Sequence, residues 1–245
     1  MIDIKKLDVS KLIKSNRESL LPDWKLLSLT KTDKKLKKES PEVYKKYAGG
    51  DVVELKQEFD DELIKLIDQR QSRRRYKLAD LTIDELSYLL YSIGKLHSEG
   101  PGWSKRVIPT AGATHNLETY VYVTNVTDVK QGFYRYMPDS GNLERVRDID
   151  HDTLDASLMN QLRNSSATVI WSSIPYRCEY KYSFASHKMI AIEAGHACQN
   201  LYLACEKLGL GTVAIGAYYQ ENLDKVLGFD GKEEFAIYVA TIGRY

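Results

Sequence analysis

The amino-acid sequence predicts an α+β protein built around a central sheet, and two kinds of pattern support this fold class. Short stretches rich in β-branched and aromatic residues, at 119–125, 167–174 and 235–242, indicate strands. Other segments carry apolar residues at three- and four-residue spacing, which is typical of amphipathic helices. Helices and strands are mixed along the chain, and this order favours the α+β class.

Three helices have clear sequence signals. The first covers 59–71, where apolar residues recur at helical spacing. A capping box from Thr82 to Glu85 opens the second, because each residue can bond the other's backbone N–H. Its apolar face is Leu86, Leu89, Leu90, Ile93 and Leu96. The third helix covers 187–208 and ends at Gly209, a favourable C-terminal cap.

The strands follow in order along the chain. After the strand at 119–125, residues 132–136 and 143–146 form a hairpin with a loose turn. The stretch 167–174 is apolar enough to be a strand buried on both faces. Residues 235–242 form the last predicted strand.

Composition narrows the functional classes. The chain has 245 residues and a formal net charge of +1, so the molecule as a whole is not built to hold a polyanion. Its first residues carry no secretory signal and no apolar run approaches membrane-spanning length, so we expect a cytoplasmic protein without a membrane partner. The cysteines Cys178, Cys198 and Cys205 form no metal-binding pattern, and we expect them to fill the core, with no metal site.

Residues 1–50 differ from the rest and are predicted to form a lysine-rich N-terminal extension. Gly49-Gly50 is a plausible boundary, which leaves 51–245 as the main domain. The lysines between 31 and 38 have no aromatic residues among them, so a solvated face is favoured over a nucleic-acid site. Nucleic-acid binding remains an alternative of a different class.

The densest basic cluster, at 70–76, is a candidate phosphate site. Guanidinium groups bind phosphate through paired, charge-assisted hydrogen bonds, and a serine hydroxyl can add a donor. Arg70, Ser72 and Arg74 form the alternating set, whereas Arg73 and Arg75 are expected to face solvent. The chain has neither a dinucleotide-binding glycine fingerprint nor a phosphate-binding loop, so side chains would hold any phosphate.

The ordered set of motifs resembles the nitroreductase family. Residues 70–76 resemble its R-R-S-x-R motif, 106–113 (RVIPTAGA) resemble its P-S-A-G loop, and 238–244 resemble its closing strand and terminal Gly-Arg. The SagB-type, or azoline dehydrogenase, branch is the most similar, through 132–136 and 180–182 together with EAGHACQN at 193–200. Gln71, Thr110 and Asn116 depart from the usual residues.

The resemblance implies a nitroreductase-like fold with a central mixed sheet flanked by helices, an intertwined homodimer and bound FMN. It assigns FMN contacts to two arginine-containing segments, to the P-T-A-G loop and to a turn: Arg70, Ser72, Arg74, Arg244, Pro109, Thr110, Ala111, Gly112, Gly216 and Ala217. In the azoline branch a Lys-Tyr pair assists removal of a ring proton, and Lys181 and Tyr182 match that pair.

Two enzymatic functions follow from the resemblance. The first is FMN-dependent oxidation of a peptide azoline (thiazoline or oxazoline) to an azole. The second is reduction of nitro compounds, quinones or flavins with NAD(P)H as electron donor. Lys181-Tyr182 and the 132–136 hairpin favour the first. His196 is a further candidate acid or base, because an imidazole can exchange a proton near neutral pH. The small residues around it favour a packing role at a contact between helices.

Overall fold

The computed structural model describes residues 8–45 and 49–245. Its centre is a six-stranded sheet with the strand order β5-β4-β3-β6-β8-β7, and a separate two-stranded hairpin is formed by β1 and β2. The strands are β1 (Leu96–Gly100), β2 (Trp103–Arg106), β3 (Leu117–Val123), β4 (Gly132–Met137), β5 (Asn142–Arg147), β6 (Ala167–Ser173), β7 (Gly211–Ile215) and β8 (Phe235–Gly243).

Eight α-helices accompany the strands in the described parts of the chain. They are α1 (Val9–Ser19), α2 (Trp24–Leu29), α3 (Glu62–Gln69), α4 (Ile83–Gly94), α5 (His151–Ser157), α6 (Tyr176–Tyr182), α7 (Ser186–Lys207) and α8 (Gln220–Leu227). One face of the sheet packs against α4 and α7, and the other packs against α5 and α8. Helices therefore flank a central sheet, and the predicted α+β class is confirmed.

The pairing of the strands departs from the expected mixed sheet. All five neighbouring pairs in the six-stranded sheet are antiparallel. The reason is that connections bring each strand back against a neighbour of opposite direction, as in the β4–β5 hairpin. Alternate side chains of β6 enter different halves of the core: Ile170 packs on the α5 and α8 side, and Trp171 on the α4 and α7 side.

Several local predictions are confirmed. Thr82 and Glu85 form both hydrogen bonds of the capping box. Strand β6 is buried along its whole length. Helix α7 ends next to Gly209, which has a φ of +66°. The prediction that Leu96 lies on the apolar face of α4 is wrong, because Lys95 leaves the helical conformation and Leu96 begins β1.

The N-terminal segment contributes structure that the sequence did not predict. Helix α1 begins at an Asp8 cap and lies against the short 3₁₀ turn Ser183–Ala185. The five lysines between 31 and 38 are exposed, as expected of a solvated face. A boundary at Gly49-Gly50 stays a prediction.

The cysteines are small buried side chains. Cys178, Cys198 and Cys205 are all free thiols. Burial raises the pKa of Cys198 to about 12 and raises that of Cys205 as well, so neither is a thiolate near neutral pH. No helix in the described parts of the chain is both long and apolar enough to cross a membrane.

Candidate active site

The arginine-rich segment 70–76 is fixed along the edge of the sheet. The backbone N–H of Arg73 donates to the carbonyl of Thr212 in β7, at 3.0 Å. The buried Tyr76 hydroxyl lies 2.9 Å from the Thr241 hydroxyl in β8 and 3.1 Å from the Thr241 carbonyl oxygen. The segment therefore enters the site with a defined backbone position.

Tyr202 of α7 organises the predicted phosphate ligands. The Arg70 guanidinium lies over its ring, 5.4 Å from the centroid. Its hydroxyl accepts the backbone N–H of Ala214 at 3.0 Å and lies 2.9 Å from the Ser72 hydroxyl. Arg74 is exposed and donates to the Ser72 carbonyl at 3.3 Å. The structure thus brings Arg70, Ser72 and Arg74 to one region.

Arg73 does not face solvent, contrary to the sequence-based expectation. Its guanidinium pairs with Glu206 in the last turn of α7 and lies over the Tyr245 ring, 4.1 Å from the centroid. The hydrogen bond to Glu206 raises the pKa of Arg73. Arg75 is exposed, as expected. Arg73 is thus a structural cation, already neutralised by α7.

Arg244 is also engaged within the chain. Its guanidinium donates to both carboxylate oxygens of Glu85, at 2.8 and 3.0 Å, and to the Asp80 carbonyl at 3.0 Å. These contacts direct it to the beginning of α4. A role for Arg244 at a phosphate stays a prediction.

The loop at 109–113 is held from α7. Thr110 donates its hydroxyl to Glu193, and the Pro109 carbonyl oxygen lies 3.2 Å from the Nδ1 atom of His196. The loop contains a 3₁₀ turn from Ala111 to Ala113, in which Gly112 has a φ of +54°. Glycine adopts this left-handed conformation without steric penalty.

Glu193 is the buried centre of this attachment. Besides Thr110, it accepts a hydrogen bond from the side-chain amide of Asn116 at 2.5 Å, and Ser173 donates to the side-chain oxygen Oδ1 of Asn116 at 3.0 Å. Burial raises the pKa of Glu193, although the hydrogen bonds from Thr110 and from the Leu117 backbone oppose the rise. A carboxylate with these contacts fixes the loop and the start of β3 together.

Lys181 and Tyr182 meet the same loop from α6. The Lys181 ammonium donates to the Gly112 carbonyl at 3.0 Å. A Cβ atom at Gly112 would lie 2.6 Å from Lys181 Nζ and closer still to the Tyr182 hydroxyl. Gly112 therefore leaves the space that these two side chains occupy. The pair lies in the last turn of α6.

An open cleft of about 800 Å³ adjoins this contact. Its walls come from the hairpin, the loop and α6: Gly102, Gly112, Ala113, Thr114, Tyr176, Arg177, Tyr180 and Lys181. Its size lies within the range of small-molecule sites in proteins, roughly 300–1,000 Å³. Lys181 is thus both a loop contact and part of a cleft wall.

Gly216 and Ala217 follow the end of β7 with their N–H groups unused. Neither group donates a hydrogen bond to another residue in the described parts of the chain, and Gly216 is exposed. The Ala217 carbonyl accepts Gln161 at 2.8 Å, which fixes the peptide. Likewise, neither Arg70 nor Arg74 forms an ion pair with a described residue. Free cations and free N–H donors are what an anionic, hydrogen-bonding cofactor requires.

A comparison with models of protein families decides the relationship to known proteins. The model of the nitroreductase family matches residues 67–244, almost three quarters of the chain. The chain belongs to the nitroreductase family. The predicted enzyme class, an FMN-dependent oxidoreductase of this family, is confirmed with it, and the unpaired arginines and N–H groups fit that cofactor.

Two curated relatives support the assignment. A nitroreductase homologue of Methanocaldococcus jannaschii is 33% identical over 201 residues, which covers 80% of this chain and 98% of the relative. The microcin B17-processing protein McbC of Escherichia coli is 25% identical over 175 residues, covering 68% of this chain and 62% of McbC. The chain thus spans less than two thirds of McbC.

Two solved structures share the nitroreductase fold. A chain of the E. coli microcin synthetase McbBCD complex, solved with truncated pro-microcin B17, superposes with a TM-score of 0.71 at 18% identity, covering 97% of this chain and 93% of that chain. A Desulfovibrio desulfuricans nitroreductase homologue in complex with FMN gives a TM-score of 0.55 at 17% identity, covering 76% of this chain and 87% of that chain.

Sequence reasoning missed the residues of α7 that hold the site. Glu193 was noted only as part of a motif, and Tyr202 and Glu206 were not singled out. A signal existed for the last two, because they lie four residues apart and therefore on one face of the helix. Nothing in the sequence shows that this face meets the arginine segment.

Proposed function

We propose that this enzyme oxidises an azoline ring in a peptide, a thiazoline or an oxazoline, to the corresponding azole. The observation that carries the proposal is the contact of Lys181 and Tyr182 with Gly112 at the edge of the cleft. The similarity to McbC, which processes microcin B17, supports a peptide substrate. Lys181 and Tyr182 are proposed to be the catalytic residues.

The reaction removes two hydrogen atoms from neighbouring ring carbons. One carbon loses a proton, the other loses a hydride, and the bond between them becomes double. Bound FMN supplies the acceptor for the hydride. Lys181, in its neutral form, takes the proton, and the Tyr182 hydroxyl orients the lysine or the ring.

The proposed cofactor contacts come from two regions. Arg70, Ser72 and Arg74 would bind the FMN phosphate and the pyrimidine edge, and Arg244, which follows the last strand, would return to the same phosphate. The loop Pro109, Thr110, Ala111 and Gly112 would lie along the ribityl chain and the ring. The free N–H groups of Gly216 and Ala217 would donate to the ring edge that exchanges electrons. Each region is attached to the fold by hydrogen bonds, which suits precise placement of a cofactor.

We also propose that the enzyme is a homodimer. The outer face of α7 is exposed and contains small residues, and a Cβ atom on Gly195 would meet nothing within 4 Å. Such a face allows close approach of a second copy. We expect an obligate interface larger than ~2,000 Å² in total. Light scattering that finds a monomer with tightly bound FMN would contradict the homodimer.

A second candidate function is NAD(P)H-dependent reduction of nitro compounds, quinones or flavins. The identity of 33% with the M. jannaschii nitroreductase homologue favours it. This reaction needs no lysine base, because the reduced acceptor can take protons from solvent. The two candidates therefore predict different effects of the same substitutions.

The test uses two activities of the FMN-loaded protein. Lys181→Ala is expected to abolish oxidation of a thiazoline-containing peptide, since general-base assistance is worth about 10²–10⁴-fold in rate. Tyr182→Phe keeps the ring and removes only the hydroxyl, so a slower rate isolates its polar role. Quinone reduction by NAD(P)H is expected to survive both changes.

The two assays separate the explanations. If both activities fall together, the residues position the flavin or hold the fold. If azoline oxidation is absent in the wild type or unaffected by both substitutions, the general reductase function replaces the proposal. Tyr88→Phe, on an exposed side chain of α4 outside the cleft, is the matched control for Tyr182→Phe.

A further inference from the structure

The N-terminal helix α1 packs beside the proposed catalytic pair. Its partly buried side chains recur at helical spacing and form one inner face: Leu12, Ile13, Asn16, Arg17 and Leu20. This helix contacts the 3₁₀ turn Ser183–Ala185, which directly follows α6. Because α1 lies outside the residues that match the family, family membership assigns it no role.

Arg17 provides the counter-charge of a buried carboxylate in α6. Its guanidinium donates to both oxygens of Glu179, each at 2.5 Å, and its third nitrogen donates to the Lys232 carbonyl at 3.2 Å. The Glu179 side chain is 5% exposed, and among the described residues Arg17 is the only cation within 4 Å of it. A buried charge that loses its partner is strongly destabilised. The orientation of α6 therefore depends on α1.

Asn16 holds the other side of the pair. Its side-chain amide donates to the Phe184 carbonyl at 2.5 Å. Between Tyr182 and Phe184 lies Ser183, whose φ of +49° is in the left-handed region. A non-glycine residue keeps such a conformation only where its surroundings fix it. Contacts from α1 thus lie on both sides of the proposed catalytic pair. Lys181 is two residues after Glu179, and Tyr182 is two residues before Phe184.

We infer that α1 is a positioning element of the active site, in which Arg17 and Asn16 hold the end of α6 so that Lys181 and Tyr182 remain on Gly112. The inference rests on the proposed function, since it concerns the same catalytic pair. Arg17 is a positioning residue and touches neither substrate nor cofactor. This positioning role of α1 gives the N-terminal extension a function that the lysine pattern did not indicate.

Four variants of the full-length, FMN-loaded protein test this inference. Arg17→Met removes the charge and keeps the length of the side chain, whereas Arg17→Lys keeps the charge and loses the two-point contact. Combining Arg17→Met with Glu179→Gln leaves no buried charge unpaired, which protects against misfolding. Lys14→Met, on the exposed side of the same helix, is the matched control.

Two measurements are made on each variant. The first is hydrogen–deuterium exchange of the amides at 180–186, compared with those of β6 in the centre of the sheet. The second is the pair of activities, with a thiazoline peptide and with a quinone. Displacement of reacting groups by about 1 Å can lower a rate by roughly a hundredfold, so a small shift of α6 is detectable.

For Arg17→Met we expect exchange at 180–186 to rise at least ~tenfold while β6 stays protected. The kcat for the thiazoline peptide is expected to fall about tenfold to a hundredfold, with KM and quinone reduction within about threefold of wild type. Arg17→Lys is expected to recover part of the loss. The control Lys14→Met is expected to match wild type in every measurement.

Unchanged exchange at 180–186 in Arg17→Met and in the double variant overturns the inference. Faster exchange throughout the sheet, with equal loss of both activities, also overturns it, because Arg17 then stabilises the whole fold. If the wild type does not oxidise the peptide, the proposed function fails separately. Exchange at 180–186 still decides in that case whether α1 holds α6.

Discussion

Removal of the Glu193 carboxylate is the sharpest test of how α7 holds the loop at 109–113. Glu193→Ala leaves two donors without their acceptor, the buried amide of Asn116 and the partly buried hydroxyl of Thr110. Each unsatisfied buried donor costs about 1–3 kcal/mol, so the free energy of unfolding is expected to fall by roughly 2–6 kcal/mol. Glu193→Gln keeps a carbonyl acceptor and is expected to lose about 1 kcal/mol.

The loop is also a proposed FMN contact, so the same variants report on cofactor binding. We expect Glu193→Ala to weaken FMN binding at least ~tenfold, which corresponds to about 1.4 kcal/mol. Urea unfolding of the FMN-free protein gives the stability, and quenching of flavin fluorescence gives the affinity. Lys225→Ala, on the exposed face of α8, is the control.

The two measurements together decide the role of Glu193. A fall in stability with an unchanged FMN affinity would mean that the loop does not contact the cofactor. A fall in stability below about 0.5 kcal/mol for Glu193→Ala would refute the reasoning from buried donors. Loss of affinity in the control Lys225→Ala would show that the titration does not report specifically on the loop.

Two further predictions follow from charges in the structure. Arg70→Ala is expected to weaken FMN binding by about 1.5–3 kcal/mol, whereas Arg75→Ala on an exposed side chain is expected to change it little; equal losses in fluorescence titration would contradict the assigned phosphate ligands. Burial raises the pKa of Asp224 from its ordinary 3.8 to about 6. Protonation of Asp224 therefore adds to the free energy of unfolding at low pH, and this stabilisation is lost as the pH rises through about 6. As the pH falls from ~7.5 to ~4, the wild type is therefore expected to gain up to ~3 kcal/mol in free energy of unfolding relative to Asp224→Asn, as measured by urea unfolding. A relative loss over the same pH range would contradict this.

Local signals in the sequence were sufficient for the elements that depend on local interactions. The Thr82 capping box needs only contacts within four residues, and the continuous apolar run of β6 reflects burial on both faces. Helix α6 was missed because Tyr176–Tyr182 is a two-turn segment with no apolar periodicity. The antiparallel sheet was not predicted either, because strand pairing depends on contacts between distant segments.

The candidate site shows the same division. The resemblance selected Lys181 and Tyr182, but their contact with Gly112 joins positions 69 residues apart. Arg73 was misassigned because alternation was judged for an isolated segment, whereas Glu206, 133 residues later, pairs with it. The contact between Arg17 and Glu179 spans 162 residues and has no sequence signature. Charge pairing at such separations becomes visible only when the fold is known.

The geometry of α7 supports the proposed homodimer. Glu193 and Tyr202 are nine residues apart, which is about 14 Å along the axis and a rotation of about 180°. The loop at 109–113 and the arginine segment therefore meet α7 at opposite edges of its buried face. Between them lies the exposed face that carries Gly195. Under the proposed homodimer, a second copy would pack on this exposed face, which lies between the two proposed cofactor-binding regions of the first chain.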